Sequence, residues 1–146
     1  MILKPFSFLP ALAIMYLIFT FSSQTGEVSG ALSYKVSYKV VQIAEAADQV
    51  INLGIEPGNT DYYVEKIHPY IRKIAHMTEY FCLAVAVAFP FYVYGLRGFL
   101  LLLTAGAICI GFAGLDEYHQ SFVDGRGPSL RDVGIDSIGA FFGIMV

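Results

Sequence analysis

Long apolar segments alternate with polar ones along this chain, and four of the apolar segments are candidates for membrane-spanning helices. They cover about residues 5–23, 74–94, 99–115 and 129–146. The first is free of charge and has about 19 residues, close to the roughly 20 that cross the hydrocarbon core of a bilayer. A signal peptide is the alternative for this segment, since Lys4 precedes it. Its apolar core exceeds the roughly 7–15 residues of a signal peptide, however, and "FSSQTG" is a poor cleavage site, so we predict a retained span.

A different pattern occupies residues 24–73, between the first two spans. Apolar residues recur there every three or four positions, which predicts an amphipathic helix: Val28, Leu32, Val36, Val40, Ile43, Ala47 and Val50. The stretch "NLGIEPGNTD" ends this pattern, and helical spacing resumes at Val64, with Pro69 either kinking the second element or starting the second span. The amphipathic helix could lie in the membrane interface or cap the bundle, and we favour capping.

Composition supports a membrane protein. The chain is 56% hydrophobic and 14% charged, whereas globular domains average roughly 45–50% apolar and about 25% charged residues. The net charge of −3 says little because the charges are clustered, but no basic surface pattern occurs, which argues against a nucleic-acid partner. We predict a single domain over residues 1–146: an all-α, polytopic membrane protein, built as a four-helix transmembrane bundle with an additional amphipathic helical segment between spans 1 and 2.

Small residues mark the predicted helix contacts. Gly139 and Gly143 form a GxxxG pattern, and the third span carries Gly106, Gly111 and Gly114. In a bilayer such residues let helix backbones approach closely. The GxxxG contact could lie within one chain or between two copies, so a homo-oligomer stays open.

Polar residues gather where the spans begin and end. In a chain that crosses four times, the ends of spans one and three and the starts of spans two and four share one membrane side. The polar residues at these positions are Gln24, Lys73, His76, Glu79, Tyr80, Asp116, Glu117, His119, Gln120, Arg126, Asp132 and Asp136. Because ionisable residues at membrane depth usually face the bundle interior or a wet cavity, we predict one shared polar site.

Three kinds of chemistry fit this site. His76 and Glu79, with Asp116 and His119, could hold zinc, manganese or iron, as Glu and His on facing helices do in other bundles. Alternatively, Lys73 and the arginines could hold an anionic lipid head group while Glu117 or His119, the candidate catalytic residues, moves a proton. The third possibility is a salt-bridge network that fixes helix register.

Two strings, "KIAHMTEY" (residues 73–80) and "DEYHQSFVDGRGPSLRDVGIDSIGAFFG" (116–143), resemble the VanZ-like family of small bacterial membrane proteins. The family's Glu-x-x-Gln is matched by Glu117 and Gln120. Its Asp-Val-x-x-(Asn/Asp)-x-x-Gly is matched from Asp132 to Gly139, and "SSQ" at 22–24 fits as well. The resemblance implies a multi-pass protein of the bacterial cytoplasmic membrane. It also implies a link to resistance against the lipoglycopeptide teicoplanin, with which the founding member is associated.

Under this resemblance the polar site would engage an envelope lipid, a lipid-linked precursor or a lipoglycopeptide. An enzyme that modifies such a lipid, with a divalent metal as a possible cofactor, and a structural or partner-binding protein are the alternatives. The count of positive residues places the polar cluster inside, whereas a cytoplasmic N terminus places it outside. We predict an extracytoplasmic cluster.

Overall fold

Five α-helices make up most of the part of the chain that the structure, a computed structural model, describes: residues 4–52, 54, 56, 58–127 and 129–146. A short 3-10 helix, Lys4–Phe8, precedes them. The helices are α1 (Leu9–Ser22), α2 (Gly26–Ile51), α3 (Thr60–Val93), α4 (Gly98–Gln120) and α5 (Leu130–Met145). These described residues contain no strand, so the all-α prediction is confirmed.

Within the described residues, three helical segments are long and apolar enough to cross a membrane: Lys4–Ser22, Thr60–Val93 and Gly98–Gln120. The fourth predicted span, α5, has 16 residues, fewer than the roughly 20 that a span requires. The predicted four-helix transmembrane bundle is therefore not confirmed. The described helices fit a protein that crosses the membrane several times.

The longest helix, α3, begins well before the predicted start of span two at residue 74. It has 34 residues and passes through Pro69 and Pro90 without interruption. At 1.5 Å per residue it is about 51 Å long, against a hydrocarbon core of about 30 Å. Hydropathy predicts where a helix is apolar, but the backbone hydrogen bonds of a helix continue past that point. For the same reason α4 reaches Gln120, beyond the predicted end at residue 115.

The core forms around α3, which contacts each of the other four α-helices. Leu83, Ala84 and Val87 of α3 are buried against small residues of its neighbours. Among those neighbours are Ala105, Cys109 and Ala113 of α4 and Ala140 of α5. These short side chains permit close packing, the usual source of helix association in membranes.

The closest helix contact lies between α5 and α3. A Cβ atom placed on Gly139 would lie 2.3 Å from the carbonyl oxygen of Met77, and one on Gly143 would lie 2.3 Å from that of Phe81. The GxxxG pattern thus serves packing within one chain. The expectation is wrong for Gly111 and Gly114, because no described atom of another element lies within 4 Å of a Cβ placed there.

The amphipathic helix α2 runs antiparallel to the N-terminal part of α3. Thr60 Oγ1 donates a 2.7 Å hydrogen bond to Glu45 Oε1, and Ser33 Oγ lies 2.9 Å from His68 Nε2. The buried residues of α2 are Ser37 and Val41. Most of the predicted apolar stripe is exposed instead: Val28, Leu32, Val36, Val40, Ile43 and Val50. Helix α2 therefore does not bury its stripe as capping would require.

Candidate functional site

The C-terminal ends of α1 and α4 meet through a buried hydrogen-bonded triad. Ser22 Oγ donates to Asp116 Oδ2 over 2.7 Å, and Gln120 Nε2 donates to the same oxygen over 2.9 Å. All three side chains are buried. Because Ser22 and Asp116 lie 94 residues apart in sequence, this contact places the ends of the first and third predicted spans on one side, as the predicted topology requires.

Arg126 joins the connection between α4 and α5 to the end of α1. Its Nε and Nη2 donate to the carbonyl oxygens of Gln24 (3.2 Å) and Phe21 (3.1 Å), and its Nη1 donates to Gln120 Oε1 (3.2 Å). The last carbonyls of a helix have no partner within the helix, and they carry a partial negative charge. The guanidinium therefore caps α1 while it holds the connection in place.

Burial lowers the pKa of the Arg126 guanidinium from its usual value, and the positive charge of Arg72 lowers it further. The carboxylates of Asp116, Glu117 and Glu79 act in the opposite direction. An arginine stays protonated in proteins, so Arg126 keeps its charge at physiological pH.

The same connection contacts the start of α2. The backbone N–H of Gly26 donates to the carbonyl oxygen of Asp124 over 3.0 Å. A Cβ placed on Gly26 would lie 2.0 Å from the carbonyl oxygen of Gly125. Only glycine fits at position 26 without displacing one of the two segments.

Glu117 fixes the start of α5. Its Oε1 accepts a 2.6 Å hydrogen bond from the backbone N–H of Ser129, and Ser129 Oγ accepts one from the backbone N–H of Arg131. A carboxylate near a helix N terminus is favourable because of the helix dipole. Ser129 is therefore the N-terminal cap of α5.

These contacts frame a cavity of about 370 Å³, called the main cavity below. It lies between α3, the end of α4, the connection 121–127 and the start of α5. Its charged and polar lining residues are His68, Arg72, Lys73, His76, Glu117, Gln120, Arg126, Asp132 and Asp136. All of these except His68 and Arg72 are predicted site residues, so the structure brings seven of the predicted residues to one cavity.

Opposite charges surround the main cavity without pairing. Three cations and three carboxylates line it. Among the described residues of the site, the ion pair that forms is His76 Nδ1 with Glu79 Oε2, at 3.5 Å. The hypothesis of a salt-bridge network between the lysine, the arginines and the acids is therefore wrong for these residues. Glu117 and Arg126 are held by hydrogen bonds to the protein, whereas Arg72, Lys73, Asp132 and Asp136 remain available to a ligand.

A second cavity of about 230 Å³, called the side cavity, lies between the end of α1, α2 and α3. Its apolar lining residues are Phe21, Leu32, Val36, Ile71 and Ala75. Arg72, His76 and Arg126 line both cavities. The predicted site residues Gln24 and Glu79 line the side cavity only.

Three predicted site residues line neither cavity. Tyr80 is fully buried in the core, and Asp116 is buried in the triad. His119 stacks on Phe19 with ring centroids 4.3 Å apart, and its Nε2 lies 3.1 Å from Ser23 Oγ. Among the described residues, Tyr80 Oη and Asp116 Oδ1 are buried without a hydrogen-bond partner.

The metal hypothesis stays a prediction. His76 and Glu79 are adjacent, but His119 and Asp116, the other candidate ligands, make separate contacts with α1. In the described ranges, no three His, Cys, Asp or Glu side chains are arranged so that they could hold a metal ion.

Sequence reasoning missed Arg72 and His68, both of which line the main cavity. The signal was present: His68, Arg72 and His76 are spaced four residues apart and therefore share one helix face. The prediction did not use this spacing because it started the second span at residue 74, inside what is one continuous helix.

The fold and the site define a helical membrane protein whose polar residues gather at one end of its bundle. A family model described as VanZ/LLP1 matches residues 7–146. The chain belongs to this family, and the resemblance predicted from its motifs is confirmed. No curated protein and no solved structure matches the chain.

Proposed function

We propose that this VanZ/LLP1-family protein binds the anionic head group of an envelope lipid or lipoglycopeptide in the main cavity, and that this binding underlies teicoplanin-type resistance. One observation carries the proposal. Arg72 and Lys73 line a cavity of about 370 Å³, and among the described residues neither forms an ion pair. Ligand pockets in proteins typically measure about 300–1,000 Å³.

The chemistry of the lining supports an anionic ligand with additional polar groups. A guanidinium binds phosphate or carboxylate with two parallel hydrogen bonds, and an ammonium adds a point charge. Arg126 already donates to Phe21, Gln24 and Gln120, so it shapes the wall while Arg72 and Lys73 meet the anion. Asp132 and Asp136, on the α5 side, would accept hydrogen bonds from hydroxyl or ammonium groups of the same ligand.

The proposal includes a location. In the bacterial cytoplasmic membrane, with the N terminus inside, the main cavity opens toward the cell envelope, where lipoglycopeptides and lipid-linked precursors are found. The positive-inside rule would place the positive residues near the cavity in the cytoplasm. Arg72, Lys73 and Arg126 line the cavity, so their positions follow from the site and count less toward orientation.

The test is susceptibility to teicoplanin and vancomycin in a sensitive bacterium that expresses wild type, Arg72→Gln/Lys73→Gln or Arg131→Gln. Arg131 is the matched control, since it is exposed and lines neither cavity. With membrane levels equalised by blot, we expect wild type and the control to protect against teicoplanin alone and the double variant to give no protection. Equal protection by all three proteins would contradict the proposal, as would no protection by wild type.

A second candidate function, acid–base chemistry on the same lipid, is supported by the pairing of His76 with Glu79 at 3.5 Å. A carboxylate that orients an imidazole is a common arrangement for a general base. We expect Glu79→Gln to abolish any change in the membrane lipid profile that wild type produces, as measured by mass spectrometry of extracted lipids. An identical profile with and without wild-type protein would leave binding as the function.

A further inference from the structure

We infer that the side cavity holds an acyl chain of an anionic membrane lipid, which enters from the bilayer beside α2. The inference rests on the proposed function for the position of the head group in the main cavity. It adds the class of ligand, a membrane lipid with a fatty acyl chain, and the place where that chain lies.

The two cavities are neighbours with different chemistry. Arg72, His76 and Arg126 line both of them. Beyond these shared residues, most of the side chains that line the main cavity are charged or polar. The side cavity has five aliphatic or aromatic side chains from three helices, together with Gln24, Ser29, Ser33 and Glu79. A molecule that fills both must carry an anionic group at one end and an apolar chain at the other.

The side cavity borders the outer surface of the bundle. Leu32 and Val36 line it, and they are 57% and 47% exposed. Both belong to the apolar stripe of α2 that is not covered by protein in the described part of the chain. Phe21, at the end of a helix apolar enough to span the membrane, is also exposed. Exposed apolar side chains are favourable in contact with lipid chains, so the inferred entrance for the acyl chain lies at this surface.

Two polar side chains that line the side cavity but not the main cavity, Glu79 and Ser33, already have partners. Glu79 is paired with His76, and the Ser33 hydroxyl contacts the carbonyl oxygens of Ser29 and Gly30 and the ring of His68. Polar groups with such partners are far less costly to cover than unpaired ones.

The experiment uses the absence of tryptophan from the sequence. Leu32→Trp places a single fluorophore at the rim of the side cavity. Val28→Trp is the matched control, because Val28 lies one turn earlier on the same stripe, is 55% exposed and does not line the side cavity. Each full-length variant is placed in nanodiscs of phosphatidylcholine with a minor fraction of phosphatidylglycerol that carries brominated acyl chains, which quench indole fluorescence on contact.

We expect quenching several-fold stronger in Leu32→Trp than in Val28→Trp, and equal quenching of the two when the brominated guest is phosphatidylcholine. Equal quenching of both variants by brominated phosphatidylglycerol would overturn the inference. Thermal melting of each variant verifies that it is folded.

Adding Arg72→Gln/Lys73→Gln to each tryptophan variant separates the inference from the proposed function. We expect the double substitution to remove the excess quenching, and Arg131→Gln to leave it unchanged. Excess quenching that survives the double substitution would overturn the head-group proposal and support the acyl-chain site. The two tryptophan variants could also be quenched equally even when Arg72 and Lys73 are present. That result, together with a teicoplanin phenotype that depends on Arg72 and Lys73, would overturn the acyl-chain site alone.

Discussion

At the scale of single residues, Asp116 differs from the other acids of the predicted site because it lines neither cavity and accepts hydrogen bonds from two buried side chains. Its Oδ2 accepts hydrogen bonds from Ser22 and Gln120, while Oδ1 has no partner among the described residues. Its role is therefore structural: it joins the ends of α1 and α4 beneath the main cavity.

Substitution of Asp116 separates its hydrogen bonds from its charge. Asp116→Asn keeps one oxygen for Ser22 and Gln120, so we expect a small change in the free energy of unfolding. Asp116→Ala leaves two buried donors with only each other, and we expect a loss of about 1–3 kcal/mol. Thermal unfolding in detergent measures both variants. A loss in Asp116→Asn as large as in Asp116→Ala would mean that the negative charge itself is needed.

Residue periodicity predicted which end of the bundle the polar side chains occupy, but not which of them reach a cavity. Lys73, His76 and Tyr80 follow one another at three- and four-residue spacing, yet the first two line the main cavity and Tyr80 is buried in the core. Residues on one face of a long helix can line a solvent-accessible cavity at one point and be buried in packed protein one or two turns further on. The spacing of residues carries no information on where that change occurs.

At the scale of helices, the contact between α5 and α3 depends on two glycines. We expect Gly139→Ala to cost about 1–3 kcal/mol, because its Cβ would overlap the backbone of Met77. Gly134→Ala in the same helix is the control: no described atom of another element lies within 4 Å of a Cβ there. Alanine should raise stability at position 134 by about 0.5–1 kcal/mol through its higher helix propensity.

Melting temperatures of the purified variants measure both effects. Since Asp132 and Asp136 reach the main cavity from α5, a displaced α5 should also weaken ligand binding in Gly139→Ala. Equal stability of the Gly139 and Gly134 variants would show that α5 does not pack on α3 through its glycines.

Helix α2 shows what an amphipathic pattern can and cannot predict. Its helical structure followed from apolar residues at three- and four-residue spacing, and the structure confirms it. Whether the apolar stripe contacts protein or lipid was not predictable, because valine and leucine are favourable both in a protein core and next to lipid chains. The side that packs on α3 has Ser33 beside His68, with Ser37 and Val41 buried. Two serines and one valine outside the predicted stripe give only a weak signal in a sequence.

At the scale of the whole molecule, composition was sufficient to predict a helical membrane protein, and the motifs were sufficient to predict the family. Orientation was not predictable in the same way. The positive-inside rule counts Lys and Arg near the spans, but in this chain Arg72, Lys73 and Arg126 line a cavity. A residue selected for a site carries no information about the side of the membrane.

Cysteine labelling in intact cells decides the orientation. In a chain with Cys82→Ala and Cys109→Ala, Ser121→Cys places a thiol at the cavity end of α4, and Tyr94→Cys places one near its other end, across a helix of 23 residues. We expect a membrane-impermeant maleimide to label Ser121→Cys in intact cells and Tyr94→Cys only after lysis. The reverse result would place the main cavity on the cytoplasmic side. Neither substitution changes a Lys or Arg, so the charges that set orientation are kept.

The hydrogen bonds that join α1 to the later part of the chain also determine when the site can form during synthesis. The hydrogen bond of Ser22 to Asp116 can form only after 94 further residues have been synthesised. That of the Phe21 carbonyl oxygen to Arg126 requires 105 further residues. At the usual pace of translation the first of these intervals lasts roughly 5 to 20 seconds. During that time the end of α1 has neither its cap nor its buried partner. A ribosome that stalls after α3 therefore leaves helices in the membrane without a cavity, and ligand binding begins only once Arg126 and the start of α5 have left the ribosome.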